Sequence, residues 1–155
     1  MTSGERSTAV GLEEAYLAHR RDLVRLAYLM CGSRDLSEDV VQSAFTSAHE
    51  RWDQIENPRA HLRRSVVNLV KDSQRRRYRW SARPVPPEPQ VVLPAEVDET
   101  WTVVSQLSGP QRSVVVLHYY EDLSLAEIAD LLDRPAATVR SDHRRALDKL
   151  RKALA

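Results

Sequence analysis

A cluster of polar residues near the carboxyl end of the chain has the composition of a DNA-reading surface. Arginine can bond bidentately to guanine in the major groove, and serine can act there as a donor or an acceptor. The segment AATVRSDHRRALDKLRK, residues 136–152, carries these residue types in its first turns. The candidates for base contacts are Arg140, Ser141, Arg144 and Arg145. Lys149 follows one turn later and suits a phosphate contact, which adds affinity without sequence preference.

An acid and a histidine interrupt this basic pattern. At 100° per residue, His143 falls on an apolar stripe, so we expect it to be packed and hydrogen-bonded against the core. Asp142 falls on the flank of the helix. It could pair with Arg145 at i+3 and aim that arginine, or it could accept a hydrogen bond from a cytosine amino group. The other members of the stripe are Val139, Ala146, Leu147, Leu150 and Leu154.

The residues before this segment predict a helix-turn-helix. A short apolar helix, SLAEIADLL, is followed by the turn DRPA and then by the basic helix. The pairs Ser124 with Glu127 and Ser108 with Gln111 have the spacing of capping boxes, which predicts the starts of this helix and of the one before it. The short helix should bury Leu125, Ile128, Ala129 and Leu132.

Basic residues are concentrated in two blocks, although the whole chain has a net charge of only +1. Residues 58–80 hold eight Arg or Lys and one Asp, a net +7, and residues 134–152 hold seven and two, a net +5. The remainder therefore carries a net −11. Two basic blocks on an acidic body indicate two separate contacts with a polyanion and a third, acidic face for a different partner.

All predicted elements are helices, and a proline-rich segment divides them into two groups. Before it, the apolar spacing predicts helices from Leu12, from a capping-box-like start at Asp35 and Glu38, and from about Arg59. The segment SARPVPPEPQVVLP cannot form a helix, and its fourteen residues can reach about 43 Å. We therefore predict an all-α fold of two small helical domains. Their bounds are a flexible N-terminus over 1–11, a first domain over 12–80, a linker over 81–95 and a helix-turn-helix domain over 96–155.

The composition argues against an enzyme or a metalloprotein. The chain has no phosphate-cradling loop and no nucleophile elbow, and its single cysteine, Cys31, shows no metal-ligand spacing with the histidines. We expect Cys31 to be a core residue at a helix end. No stretch approaches the ~20 apolar residues of a membrane span, and the polar start lacks the apolar core of a signal peptide. We therefore expect no catalytic residue, metal, cofactor or membrane insertion, and a cytoplasmic location.

Three longer motifs around the linker resemble the extracytoplasmic-function (group IV) sigma factors of bacterial RNA polymerase. They are LVRLAYLMCGSRDLSEDVVQSAF, NPRAHLRRSVVNLVKD and LSGPQRSVVVLHYYEDLSLAEIADLLDRPAATVRSDHRRALDKLR. The resemblance extends from Leu12 to Leu154. It implies an all-helical protein whose N-terminal lobe reads and opens the −10 element and whose C-terminal lobe reads the −35 element. It also implies core RNA polymerase, promoter DNA and an anti-sigma factor as partners.

The resemblance further implies roles for particular residues of the first domain. The family's second helix contacts the clamp region of the largest polymerase subunit; Asp39 and Gln42 match its polar positions, and Ser43 stands where a glutamate is usual. Asn68 matches the asparagine near the unstacked −10 base, and the loop from Asp53 to Asn57 is expected to form the pocket for that base. The candidates for phosphate contacts beside it are Arg63, Arg64 and Lys71.

The turn of the helix-turn-helix departs from the family pattern. The usual glycine, serine and glycine are Asp133, Pro135 and Ala137 in this chain. Aspartate can adopt the left-handed conformation and proline suits the first turn of a helix. We therefore expect the motif to be kept.

The main alternative is a conventional helix-turn-helix regulator that binds operator DNA as a dimer without joining the polymerase. A dimer needs an apolar face, and the sequence shows no heptad seam and no spare apolar helix. That alternative also leaves the basic third helix and the Asp39 face unexplained. A third class, the nucleic-acid enzymes, lacks support because the chain has no metal-carboxylate cluster.

Overall fold

The computed structural model describes residues 2–79 and 95–154, and every regular element in these ranges is helical. A short 3₁₀ turn, Trp52–Gln54, lies between the second and third α-helices. The α-helices are α1 (Thr2–Cys31), α2 (Arg34–His49), α3 (Pro58–Arg79), α4 (Ala95–Val104), α5 (Gly109–Val115), α6 (Leu125–Leu132) and α7 (Ala136–Leu154). The described residues form two compact units, 2–27 with 33–79 and 28–32 with 95–154. The prediction of an all-α fold is confirmed.

The first unit is held together by the apolar faces of α1, α2 and α3. The rings of Tyr16 and Phe45 meet edge to face with their centroids 5.0 Å apart, which joins α1 to α2. One turn further along α1, the guanidinium of Arg20 forms an ion pair with Glu38 at 3.1 Å. The packing of α2 on α3 leaves their polar faces in solvent. The side chains it buries almost completely include Val41, Ala44, Leu62, Val66, Val67 and Val70.

The first helix differs from its prediction in two respects. It begins at Thr2, so the residues predicted as a flexible N-terminus over 1–11 are helical from Thr2 onward. The helical backbone extends beyond the apolar repeat on which the predicted start at Leu12 depended. Leu17, which was counted with the apolar residues, is 76% exposed. It stands one position after Tyr16, and a rotation of 100° carries it away from the side that meets Phe45.

The junction between α1 and α2 consists of Gly32 and Ser33. Gly32 has a φ of 72°, in the left-handed region that favours glycine, and Ser33 caps α2 by accepting from the Leu36 N–H at 3.2 Å. The capping-box-like start predicted at Asp35 is therefore wrong, because the helix already begins at Arg34. Asp35 instead lies in the first turn, where its charge complements the helix dipole. Cys31 ends α1, as predicted, but it is only partly buried.

Both predicted capping boxes are present in the second unit. Ser108 and Gln111 exchange side-chain and backbone hydrogen bonds at the start of α5, and Ser124 and Glu127 do the same at the start of α6. After Val115 the helix widens into a π-helical turn, Val116–Tyr120, which no sequence pattern predicted. This turn leads into the bend before α6.

The helix-turn-helix is formed by α6, a short turn and α7. Asp133 ends α6 in the left-handed conformation, with φ 53° and ψ 53°, and the Arg134 N–H donates to the Ala129 carbonyl at 2.9 Å. The motif is therefore kept without its usual glycine. Val139 is fully buried where α7 packs on α5 and α6. Leu154, assigned to the apolar stripe, is 73% exposed because it stands in the last turn of α7.

The predicted linker over 81–95 lies outside the described residues except for Ala95, with which α4 begins. The bounds proposed for the two domains and the linker stay a prediction. Across 2–79 and 95–154, no helix combines the length and the apolar character that crossing a bilayer requires.

Candidate nucleic-acid and protein interfaces

The first turns of α7 present a row of basic side chains to solvent. Arg140, Arg144 and Arg145 are exposed, and Ser141 between them is partly buried. Lys149 is exposed one turn further on. The buried stripe of α7 occupies the other side of the helix. We refer to Arg140, Ser141, Arg144 and Arg145 as the reading row, because it offers several donors to a polyanion from one side of the helix.

Asp142 is turned away from the reading row. Its Oδ2 lies 3.5 Å from Nη1 of Arg134, a residue of the helix-turn-helix turn. The Asp142 side chain is 14% exposed and that of Arg134 is 33% exposed. The expected pairing of Asp142 with Arg145 is therefore wrong, since the carboxylate points across the turn and not along the helix surface. The other possibility, a hydrogen bond from a cytosine amino group to Asp142, stays a prediction.

His143 is partly buried and hydrogen-bonded, as its place on the apolar stripe predicted. Its Nε2 lies 3.0 Å from the hydroxyl of Tyr119, and its ring packs edge-on against that of His118 with centroids 5.1 Å apart. Nδ1 of His118 donates to the Leu123 carbonyl at 2.7 Å, because a carbonyl can only accept. Burial lowers the pKa of His143 below its ordinary value of 6.5, and the charge of His118 lowers it further.

This shift gives the second unit a pH-dependent stability. Because the pKa of folded His143 lies below 6.5, the unfolded chain binds a proton first as the pH falls. The contribution of His143 to the free energy of unfolding is then fully present above about pH 6.5 and decreases as the pH falls from there toward the folded pKa. Urea unfolding of the His143→Gln variant, measured between about pH 7.5 and about pH 5.5, should show a smaller decrease in the free energy of unfolding than the unaltered protein. His49→Gln, at an exposed position of α2, is the control. An unchanged pH slope in His143→Gln would contradict the prediction.

Three of the predicted −10 residues share one exposed side of α3. Positions four and three apart lie on the same face of a helix, which places Arg64, Asn68 and Lys71 in one line. Asn68 and Arg64 are exposed and Lys71 is partly buried. Arg63 lies one position away from this line and is partly buried, so it borders the face and does not belong to it.

The loop before α3 provides the N-terminal cap of that helix, which the sequence analysis did not predict. The Oδ1 of Asn57 accepts from the Ala60 N–H at 3.2 Å, and its carbonyl accepts from the His61 N–H at 3.0 Å. Asn57 thus caps α3, about 16 Å along the helix axis from Asn68 at 1.5 Å per residue. Asp53 is exposed in the 3₁₀ turn. Asn57 therefore does not itself face Asn68, and the pocket expected from the loop stays a prediction.

The exposed side of α2 carries the predicted polymerase-binding residues. Asp39, Gln42 and Ser43 are all exposed and, at spacings of three and four, lie on one face. The neighbouring acid, Glu38, is paired with Arg20. Among the described residues, Asp39 forms no such ion pair, so its carboxylate is available to a cationic partner.

A groove beside this face adds an apolar element. It has a volume of about 380 Å³ and lies between α1 and α2. Gln42 belongs both to its wall and to the polar face of α2. The remaining lining residues are Leu12, Glu13, Tyr16, Phe45, Thr46 and His49. The exposed side of α2 therefore combines the carboxylate of Asp39, which has no ion-pair partner among the described residues, with amide and hydroxyl groups and apolar surface.

Comparison with known proteins finds a matching protein-family model for each of the two units. The model of Sigma-70 region 2 matches residues 15–80, and that of Sigma-70, region 4 matches residues 103–152. The first match contains α2 and the line on α3, and the second contains α6 and the reading row on α7.

Curated relatives and solved structures agree with these matches. An RNA polymerase sigma-E factor of Streptomyces avermitilis is 34% identical over 91% of this chain and 84% of its own length. The ECF RNA polymerase sigma factor SigW of Bacillus subtilis is 29% identical over 88% of this chain and 84% of its own. The sigma factor RpoE of Bartonella quintana, solved with the anti-sigma factor NepR, superposes with a TM-score of 0.73 at 23% identity. That superposition covers 92% of this chain and 95% of RpoE, and it shows a shared fold.

The match to the sigma-E factor covers 91% of this chain, so both units belong to one type of transcription initiation factor. The chain belongs to the extracytoplasmic-function sigma factors of bacterial RNA polymerase.

Proposed function

We propose that this sigma factor binds core RNA polymerase through the exposed side of α2 and reads the −10 and −35 elements with α3 and α7. The observation that carries the proposal is the presence of three exposed faces with different chemistry. One is the face with the free carboxylate of Asp39, and the others are the line on α3 and the reading row on α7. A regulator that binds only operator DNA would need only the last of these.

The line on α3 suits a promoter strand whose bases leave the stack. Removing one base from the stack costs a few kcal/mol, which a protein offsets with phosphate contacts and hydrogen bonds to the base edge. The charged groups of Arg64 and Lys71 would hold phosphates on either side of the Asn68 amide, which would bond the base. Arg63 at the border of this face would add a phosphate contact. This division of roles accounts for one neutral side chain between two cations.

The reading row on α7 suits duplex DNA. Near the start of the second helix of a helix-turn-helix, side chains reach base edges in the major groove. Arg140, Ser141, Arg144 and Arg145 would make those contacts at the −35 element, and Lys149 would bind a phosphate. Residues 12–80 would then form region 2 and residues 96–155 region 4, with the linker over 81–95 spanning the distance between the two promoter elements.

The remaining expectations follow from this function. The clamp region of the largest polymerase subunit would be the partner of Asp39, Gln42 and Ser43. The polymerase and the promoter lie in the cytoplasm, and the protein would act there by binding, without catalysing a reaction or holding a cofactor. RpoE of Bartonella quintana was solved with an anti-sigma factor, and we propose a regulator of that kind for this chain as well.

The deciding experiment mixes the purified full-length protein with core polymerase and a template library whose upstream region is randomised. We expect transcripts that start downstream of a recurring pair of elements, and none without the protein. Binding to DNA with no binding to core polymerase would overturn the proposal in favour of the conventional regulator. Binding to core polymerase without any selected upstream element would overturn the assignment of α3 and α7.

A further inference from the structure

We propose that Arg134 and Asp142 form a positioning pair that sets the direction in which the reading row meets the major groove. Neither residue then reads a base. The inference rests on the proposed use of α7 at the −35 element and adds to it the means by which this chain fixes the helix. The pair joins the turn of the helix-turn-helix to the second turn of α7.

The two residues are anchored on opposite sides of the turn. Arg134 follows the left-handed Asp133, and its N–H is bonded to the carbonyl of Ala129 in α6, so its backbone belongs to the end of that helix. Asp142 is part of the continuous backbone of α7. The contact between Nη1 and Oδ2 at 3.5 Å therefore links the end of α6 to α7 in addition to the chain itself.

Burial distinguishes this acid from the arginines of the reading row. Asp142 is 14% exposed, whereas Arg140, Arg144 and Arg145 are exposed. A partly desolvated carboxylate needs a partner, and here the partner is a cation from the turn. A negative charge on a DNA-binding helix also weakens binding to any phosphate backbone. Asp142 thus lowers general affinity for DNA, which a contribution to accurate placement of the reading row would offset.

The residues of the turn explain why a side-chain link would be needed there. Glycine at the end of α6 would adopt the left-handed conformation at no steric cost, but this chain uses Asp133 there. Pro135 then fixes φ immediately before α7. We infer that the side-chain link across the turn holds the angle between α6 and α7 where the backbone lacks the family's small residues.

The test is a double-mutant cycle with Asp142→Asn, which is nearly isosteric, and Arg134→Gln, which is shorter; each substitution leaves a neutral side chain. Holoenzyme is assembled from each full-length variant and core polymerase. Affinity is measured for a duplex with the −35 sequence that the unaltered holoenzyme selects from a random library, and for the same duplex with that sequence scrambled. We expect each single substitution to lower the ratio of the two affinities by about fivefold, and the double variant to be no worse than either. The general affinity of Asp142→Asn should stay equal or rise.

Two further readouts separate positioning from other roles. The exchanged pair, Arg134→Asp with Asp142→Arg, should recover part of the lost ratio, because the two charges can again pair across the turn. Circular dichroism at the binding temperature establishes that all variants are folded. Asp148→Asn, the same change at an exposed position of α7 where the carboxylate lies 3.9 Å from Arg151, is the matched control and should leave the ratio within about twofold.

Several outcomes would overturn the inference. If Asp142→Asn changed preference at one base pair and Arg134→Gln did not, Asp142 would be a base reader. Arg134→Gln could instead weaken binding to both duplexes alike and lower the slope of log affinity against log salt concentration by about one, with or without Asp142→Asn. Arg134 would then be a phosphate contact. Additive losses in the ratio would exclude a coupled pair. If the unaltered holoenzyme selected no −35 sequence, the proposed use of α7 would fail first.

Discussion

Asp39→Arg is expected to weaken the binding of this sigma factor to core RNA polymerase by about tenfold or more. The carboxylate is exposed and forms no ion pair among the described residues, so a cationic partner can approach it at no cost to the fold. Reversing its charge replaces attraction with repulsion, which costs more than the loss of one contact. A fluorescence titration of labelled full-length protein with core polymerase measures the effect.

The matched control is Asp22→Arg, the same charge change at an exposed position of α1. It alters the net charge equally but lies outside the face of Asp39, Gln42 and Ser43. We therefore expect its affinity for core polymerase to change by less than about threefold. Binding of either variant to non-specific DNA in the absence of core polymerase should be similar. Equal losses of core binding in the two variants would reject the assignment, since the effect would then be one of total charge.

Arg144→Ala is expected to reduce the affinity of the holoenzyme for its selected −35 sequence by roughly 10- to 100-fold and to relax preference at one base position. A bidentate arginine–guanine contact contributes about 1–3 kcal/mol of discrimination. Arg144 is exposed in the middle of the reading row. Competition with single-position variants of the −35 duplex measures both effects.

Lys149→Ala is the companion variant, because it removes one exposed positive charge from the same helix. It should weaken binding to every sequence to a similar degree and lower the salt slope by about one. If Arg144→Ala gave this uniform pattern as well, Arg144 would bind phosphate, and the base contacts would have to come from other members of the reading row.

The features that could be predicted from the sequence are those determined by residues close together in the chain. A capping box joins positions three apart, so Ser124 with Glu127 and Ser108 with Gln111 located the starts of α6 and α5 correctly. The exposed line on α3 follows from helical spacing in the same way. His143 was also placed correctly, because the apolar stripe of α7 determines which side of the helix it occupies.

The features that were missed depend on how the chain turns between helices. Arg134 and Asp142 are eight positions apart, with the turn and the first turn of α7 between them, and no helical spacing relates them. Asp142 therefore seemed to have only Arg145 within reach. Ser33 was overlooked as a cap because the spacing of Asp35 and Glu38 suggested a later start, whereas the left-handed Gly32 ends α1 abruptly and lets α2 begin at once. Asn57 likewise resembled a binding residue, although its side chain caps α3.

The π-helical turn at Val116–Tyr120 determines which side chains reach His143. A π-turn closes i to i+5 hydrogen bonds where an α-helix closes i to i+4, so it accommodates one more residue than the α-helical path requires. An α-helical path over the same residues would rotate the following side chains by about one position. His118 and Tyr119 both reach His143 from this turn. The dependence of the second unit's stability on pH therefore follows from the path of one helical turn, because that turn brings the two rings onto His143, whose pKa burial and the charge of His118 lower.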